Sequence, residues 1–60
     1  MYLMITNIAT RTTFIFERAR KGSRKLNAYS MPADLPVLDS RIPWRSVPLH
    51  IRREARATFA

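Results

Sequence analysis

Residues 2–8 (Tyr-Leu-Met-Ile-Thr-Asn-Ile) and 12–19 (Thr-Thr-Phe-Ile-Phe-Glu-Arg-Ala) are rich in β-branched and aromatic side chains, which suit a pleated, half-buried surface and predict two strands. A third strand is predicted over residues 25–31. It follows Lys21-Gly22-Ser23-Arg24, where the only glycine falls at the first central position of a two-residue loop, the signature of a type II′ hairpin. With Gly22-Ser23 as that loop, Phe16 faces Tyr29 and Phe14 faces Met31. Side chains alternate along a strand, so this register gathers the large rings of the hairpin on one face. That face continues toward the turn as Arg18, Arg20, Lys25 and Asn27, giving an apolar base and a cationic tip. The opposite face carries Thr13, Ile15, Glu17, Ala19, Leu26, Ala28 and Ser30. In the first strand Tyr2, Met4, Thr6 and Ile8 point one way, and Leu3, Ile5 and Asn7 the other. Both faces therefore hold aliphatic residues, and one short helix cannot cover both. The second face calls for a second copy, a partner, or a connector folded back over it.

The pattern changes at Pro32. Pro32, Pro36, Pro43 and Pro48 bias Met31, Leu35, Ile42 and Val47 toward extended backbone, so residues 32–47 are expected to hold no regular element of length. Interleaved Leu35, Val37, Leu38, Ile42 and Trp44 make this a stiff, oily connector that wraps the core, unlike a flexible linker. Residues 48–60 then read as a C-terminal helix, with Pro48 in its first turn and Ser46 or Val47 at the cap. At 100° per residue, Val47, Ile51, Ala55, Thr58 and Phe59 share a core-facing arc, with Arg52, Arg56 and Arg53 on the adjoining arc around Leu49. The expected fold is a small α+β domain over residues 1–60: a three-stranded antiparallel meander (1–31), a wrapping connector (32–47) and one helix packed on the sheet.

A single domain of 60 residues buries only about 60% of the surface its unfolded chain exposes and is marginal on its own. With no cysteine, disulfides are excluded and zinc fingers lose their usual ligands. The expected remedy is a homodimer or a place as an obligate subunit in a larger assembly. Absence of cysteine also fits the cytoplasm or another reducing compartment. The uncharged start, residues 1–10, is too short to span a bilayer and lacks the positive leader of a secretory signal. Its β-branched residues oppose the amphipathic helix of a transit peptide, and an uncleaved chain is expected.

Charge sharpens the picture. Eleven Lys and Arg against four acidic residues leave a net charge of +7, and the cations are segregated. One zone holds Arg18, Arg20, Lys21, Arg24 and Lys25, the other Arg41, Arg45, Arg52, Arg53 and Arg56, with the acidic Asp34 and Asp39 between them. Arginine outnumbers lysine nine to two, which suits bidentate recognition of phosphate or carboxylate.

Catalytic sets do not emerge. His50 and Glu54 lie one helical turn apart, the spacing of a surface pair or of two metal ligands, and two ligands do not make a site. The serines form no nucleophile motif, no glycine-rich phosphate loop is present, and no cofactor is implied. The chain thus predicts a non-enzymatic binding protein, analogous in size and basicity to small accessory proteins of ribonucleoprotein particles, mobile elements and phages. Its first expected partner is nucleic acid, DNA or RNA, held at the phosphate backbone by the hairpin tip (Arg18, Arg20, Lys21, Arg24, Lys25) and the helix (Arg52, Arg53, Arg56). Phe14, Phe16 and Tyr29 could add a stacking platform, although a core role suits them better. The alternative is an adaptor or inhibitor that docks Trp44, Arg45 and Leu49 onto an acidic protein surface. A buried Trp44 is the competing expectation, and the helix arginines would otherwise only complement the helix dipole.

Overall fold

A computed structural model of the chain describes residues 1–34 and 40–60. Strands β1 (Tyr2–Asn7), β2 (Thr12–Arg18), β3 (Leu26–Pro32) and β4 (Arg41–Ile42) form one antiparallel sheet in sequence order. A 3-10 turn (Trp44–Ser46) and helix α1 (Leu49–Thr58) follow. The α+β class is as expected, with one strand more than the sequence suggested.

The β1 alternation holds: Leu3, Ile5 and Asn7 are half-buried while Tyr2, Met4 and Thr6 are exposed. The β1–β2 connection is closed by Asn7, whose Oδ1 accepts from the backbone N–H groups of Ala9 (3.0 Å) and Thr10 (3.4 Å). This is the side-chain turn for which Asn is suited. Arg11, at φ 54°, takes the left-handed position that completes it.

The hairpin register differs from the expected one. Ser23 N–H donates to the Arg20 carbonyl (3.0 Å), and Gly22, at φ 79°, occupies the third position of that turn. Positive φ there is what a type II turn requires. The turn starts one residue early while its far side stays in place, so the loop holds three residues (Lys21-Gly22-Ser23) instead of two, Ala19 pairs with Lys25 (Ala19 N to Lys25 O, 2.9 Å) and the whole β3 register slips by one. A one-residue slip turns every side chain of a strand over. Phe14 therefore faces Ser30 and Phe16 faces Ala28, while Tyr29 faces Ile15 on the other side of the sheet. The expected gathering of Phe14, Phe16, Tyr29 and Met31 does not occur. Small residues opposite the two phenyl rings leave room for the helix above them. Tyr29, turned away, donates its hydroxyl to Glu17 Oε1 at 2.6 Å.

The helix is laid on the Phe14/Phe16 face. Phe16, Val47, Ile51 and Ala55 are almost completely buried, with Phe14, Ala28 and Phe59 close behind, and Leu3, Ile5, Leu26, Ile42 and Trp44 pack at the margin. The predicted arc of Val47, Ile51, Ala55 and Phe59 is the one buried, whereas Thr58 is exposed and returns its Oγ1 to the Glu54 carbonyl. Pro48 is the N-cap, one residue later than expected. Its carbonyl accepts from Ile51 and Arg52 N–H, and it has no N–H of its own to leave unsatisfied.

The connector holds only two short elements among the described residues, in keeping with the expectation that no regular element of length fits there. Arg41 and Ile42 pair with Tyr29 and Ala28, adding a two-residue strand to the outer edge of β3. Pro43 ends it, since proline cannot donate to a ladder, and its carbonyl caps the 3-10 turn by accepting from Ser46 N–H (2.9 Å). Leu35, Pro36, Val37, Leu38 and Asp39, the part expected to wrap the core or fold over the second face, lie outside the described residues.

Candidate nucleic-acid interface

The hairpin turn and the C-terminal end of α1 lie side by side, which joins cations more than thirty residues apart in sequence. Arg18, at the end of β2, is the link. Its Nη1 donates to the Ser23 carbonyl in the turn (2.9 Å) and its Nη2 to the Phe59 carbonyl at the helix end (2.7 Å). Its guanidinium carbon stands 5.5 Å from the centre of the Phe59 ring. A fork-shaped guanidinium presents a separate nitrogen to each of the two acceptors, which the single nitrogen of a lysine does not.

Arg56 makes the matching contact from the helix. Its Nη1 donates to the Arg24 carbonyl (2.6 Å), and its guanidinium carbon lies 4.7 Å from the centre of the Trp44 ring. Trp44 in turn meets Phe16 edge-on, with ring centres 5.8 Å apart. The indole is thus half-buried between a core ring and a cation, at the margin of the core rather than fully buried as the competing expectation had it.

These contacts have an electrostatic consequence. Arg18 and Arg56 are fixed by neutral carbonyls and aromatic faces, so neither contact cancels their charge. Arg18, Arg24 and Arg56 line a shallow concavity with Gly22, Phe59 and Ala60. A second, adjoining concavity is lined by Arg18, Arg20 and Lys21 together with Met1, Tyr2, Glu17 and Gly22. Five of the predicted cations therefore share one continuous surface. Lys25 and Arg53 are exposed but line neither hollow. Arg52 is half-buried, and its Nε finds no hydrogen-bond partner among the described residues. Of the residues expected to dock a protein, Arg45 is exposed and Leu49 is 53% exposed.

No stacking platform forms on this surface. Phe14 and Phe16 are in the core and Tyr29 is on the far face. What the sequence did not reveal is that Phe59 and Trp44 serve as backing for two arginines, because no spacing rule links Trp44 to Arg56 or Arg18 to Phe59. On the far face, the hydrogen bond from Tyr29 holds the Glu17 carboxyl below its ordinary range, and the same bond raises the Tyr29 phenol above its own.

His50 and Glu54 are both exposed, and the described residues contain no group of three or more His, Cys, Asp or Glu side chains placed to hold a metal ion. No described helix is long and apolar enough to cross a membrane. Compared with protein-family models, curated proteins and solved structures, the chain matches none of the three.

Proposed function

We propose that this is a small non-enzymatic accessory protein that binds the phosphate backbone of nucleic acid through the joined surface of the hairpin turn and helix end. The observation that carries the reading is the placement of Arg18, Arg24 and Arg56 around one concavity, two of them held by carbonyl oxygens and rings that leave their charge intact. A guanidinium stacked on a ring keeps edge N–H groups for a phosphate oxygen and loses little freedom when it binds one. Arg20, Lys21, Lys25, Arg52 and Arg53 extend the positive field around this centre. Base reading has little support here, because the hydrogen-bonding side chains suited to base edges are scarce.

The test is a titration of the protein against labelled single-stranded and duplex DNA and RNA at two salt concentrations. Affinity should fall with salt by a slope of roughly four to seven, about 0.7 to 0.9 for each of five to eight phosphate contacts. Charge reversal at Arg20, Lys21 and Lys25, whose side chains make no hydrogen bond among the described residues, should weaken binding and flatten that slope without lowering the melting temperature. Binding absent at physiological salt, or unaffected by the triple reversal, refutes the phosphate reading and leaves the adaptor, with Arg45 and Leu49 as its exposed contacts.

A further inference from the structure

The apolar side chains left outside the core are concentrated at one place. Of the five large hydrophobic residues that stand well exposed among the described residues, Met1, Tyr2, Met4 and Ile8 lie on or beside β1. Strand β1 is also an outer edge of the sheet, so one row of its backbone N–H and C=O groups has no partner in the sheet. Natural edge strands are usually protected by lysine, proline, a bulge or a covering element. Tyr2–Asn7 has no charged side chain and no proline, and it pairs with β2 in unbroken register. The edge at the other side is blunted, by a β4 of two residues ended by Pro43.

We infer that β1 pairs antiparallel with β1 of a second copy, joining two four-stranded sheets into one of eight strands. Charge selects both the edge and the direction. Each copy carries +7, and residues 1–10 form the longest stretch without a charged side chain, so this is where two copies meet with least repulsion. Tyr2 lines the hollow that holds Arg18, Arg20 and Lys21, so the cationic turn is at the starting end of β1. Antiparallel pairing places the two cationic turns at opposite ends of the joined sheet, each beside the partner's β1–β2 connection, where Arg11 is the single charged side chain. Parallel pairing would bring them together. Arg56 lies over Trp44 and donates to the turn at Arg24, Arg52 shares its flank by helical spacing, and the opposite flank of α1 carries His50, Glu54 and Thr58. That flank adds no cation on the side away from the turn. Glu17, beside Tyr2 and Tyr29 on the sheet face away from the helix, makes this side unsuited to phosphate and compatible with a basic partner.

Symmetry restricts the register. A two-fold axis that pairs edges antiparallel stands perpendicular to the sheet, so directly opposed residues share a face and their numbers have the same parity. Two centred registers satisfy this over Tyr2–Asn7: Met4 opposite Met4 of the partner, or Met4 opposite Thr6 of the partner. A six-residue edge supplies about six backbone hydrogen bonds and buries less than the roughly 800 Å² per partner of a standard interface, so the dimer should be concentration-dependent.

Sedimentation velocity on the protein alone, without nucleic acid, tests this over a concentration series at low and high salt. The expected result is a monomer–dimer equilibrium that tightens as salt screens the net charge, the reverse of phosphate binding. Met4→Lys should shift it to monomer with an unchanged circular dichroism spectrum. The chain has no cysteine, so single-cysteine variants report directly. Met4→Cys should oxidise to a disulfide-linked dimer in the first register, and Met4→Cys mixed with Thr6→Cys should give a heterodisulfide in the second. Arg53→Cys, on the outer side of the helix, should not cross-link. A monomer at every soluble concentration, a Met4→Lys variant as dimeric as the parent, or Arg53→Cys cross-linking as readily as Met4→Cys would each overturn the inference. None of these outcomes bears on phosphate binding.

Discussion

Replacing Arg18 by Ala should destabilise this protein more than any other substitution of an exposed charged residue. Three contacts are lost: the bond to Ser23 O at 2.9 Å, the bond to Phe59 O at 2.7 Å, and the position over the Phe59 ring at 5.5 Å. The side chain is largely exposed, so each bond is taken at the low end, about 0.5–1 kcal/mol. The ring contact adds about 0.5–1 kcal/mol, the range for exposed cation–π pairs. The total is about 2 kcal/mol, a large share of the roughly 3–5 kcal/mol a core of this size supplies.

At about 4–8 °C per kcal/mol for a domain this small, the melting temperature should fall by roughly 8–16 °C. Thermal unfolding followed by circular dichroism measures it. High salt is the informative condition, because it removes the relief that deleting one cation gives a protein of net charge +7. Both acceptors are carbonyls, so the loss should persist there, whereas an ion pair's contribution would fade. Arg18→Lys keeps the charge but reaches one acceptor at best, and should recover less than half of the loss. A shift under about 3 °C, a lysine variant equal to the parent, or an effect that vanishes in salt would show that Arg18 does not tie the turn to the helix end.

Phe16 has no exposed surface, and Phe16→Ala should cost about 3–5 kcal/mol, enough to leave the chain largely unfolded at room temperature by near-ultraviolet circular dichroism and amide dispersion. Gly22 sits at φ 79° with open space where a Cβ would go, so Gly22→Ala pays only backbone strain, about 1 kcal/mol; a D-alanine at that position should restore the melting temperature. Glu17 titrates below its unfolded range because Tyr29 donates to its carboxylate, so its contribution is complete above the unfolded carboxylate pKa and lost as pH falls through the lowered folded value. Tyr29 titrates above its unfolded range, so its contribution is present below the unfolded phenol pKa and lost as pH rises through the raised one. Glu17→Gln should flatten the acid limb of a melting-temperature profile and return the Tyr29 phenol toward its usual range in a spectrophotometric titration on a Tyr2→Phe background.

The strands and the helix were readable because their burial follows the period of the side chains. Leu3 and Ile5 against Tyr2 and Met4, and Ile51 and Ala55 against Arg53, sort themselves by position alone. The register was not readable. Positive φ suits Gly22 at the first central position of a type II′ turn in a two-residue loop and at the second central position of a type II turn in a three-residue loop (Lys21-Gly22-Ser23), and the two loops differ by one residue of pairing. That single residue decides whether Tyr29 shares the core face with Phe16 or stands beside Glu17 across the sheet. Sequence favoured the arrangement with more rings together. The fold instead places Ala28 and Ser30 opposite the phenyl rings, because the helix needs space above them, and Tyr29 satisfies its hydroxyl at Glu17. Arg41–Ile42 was hidden for a different reason: a two-residue strand between prolines has no alternation to read and exists only because β3 offers it an open edge.

The cations of the proposed interface divide into two physical kinds, and the division governs how their substitution should be interpreted. Arg18 and Arg56 hold the hairpin turn against the helix end while keeping full charge. Removing either loosens the surface and subtracts a charge together, so weaker nucleic-acid binding by such a variant does not identify a phosphate contact. Arg20 and Lys21 stand on the same concave surface without an anchoring hydrogen bond among the described residues, and reversing them changes the field alone. The two kinds should differ in kinetics as well. Loss of a mobile rim charge chiefly slows encounter and reduces the salt dependence, whereas loss of a pre-positioned guanidinium chiefly speeds dissociation, since its ordering cost was met in folding. If Arg20→Glu and Arg56→Ala lowered affinity through the same rate constant, the distinction between anchored and mobile cations would fail, even if both residues touched phosphate.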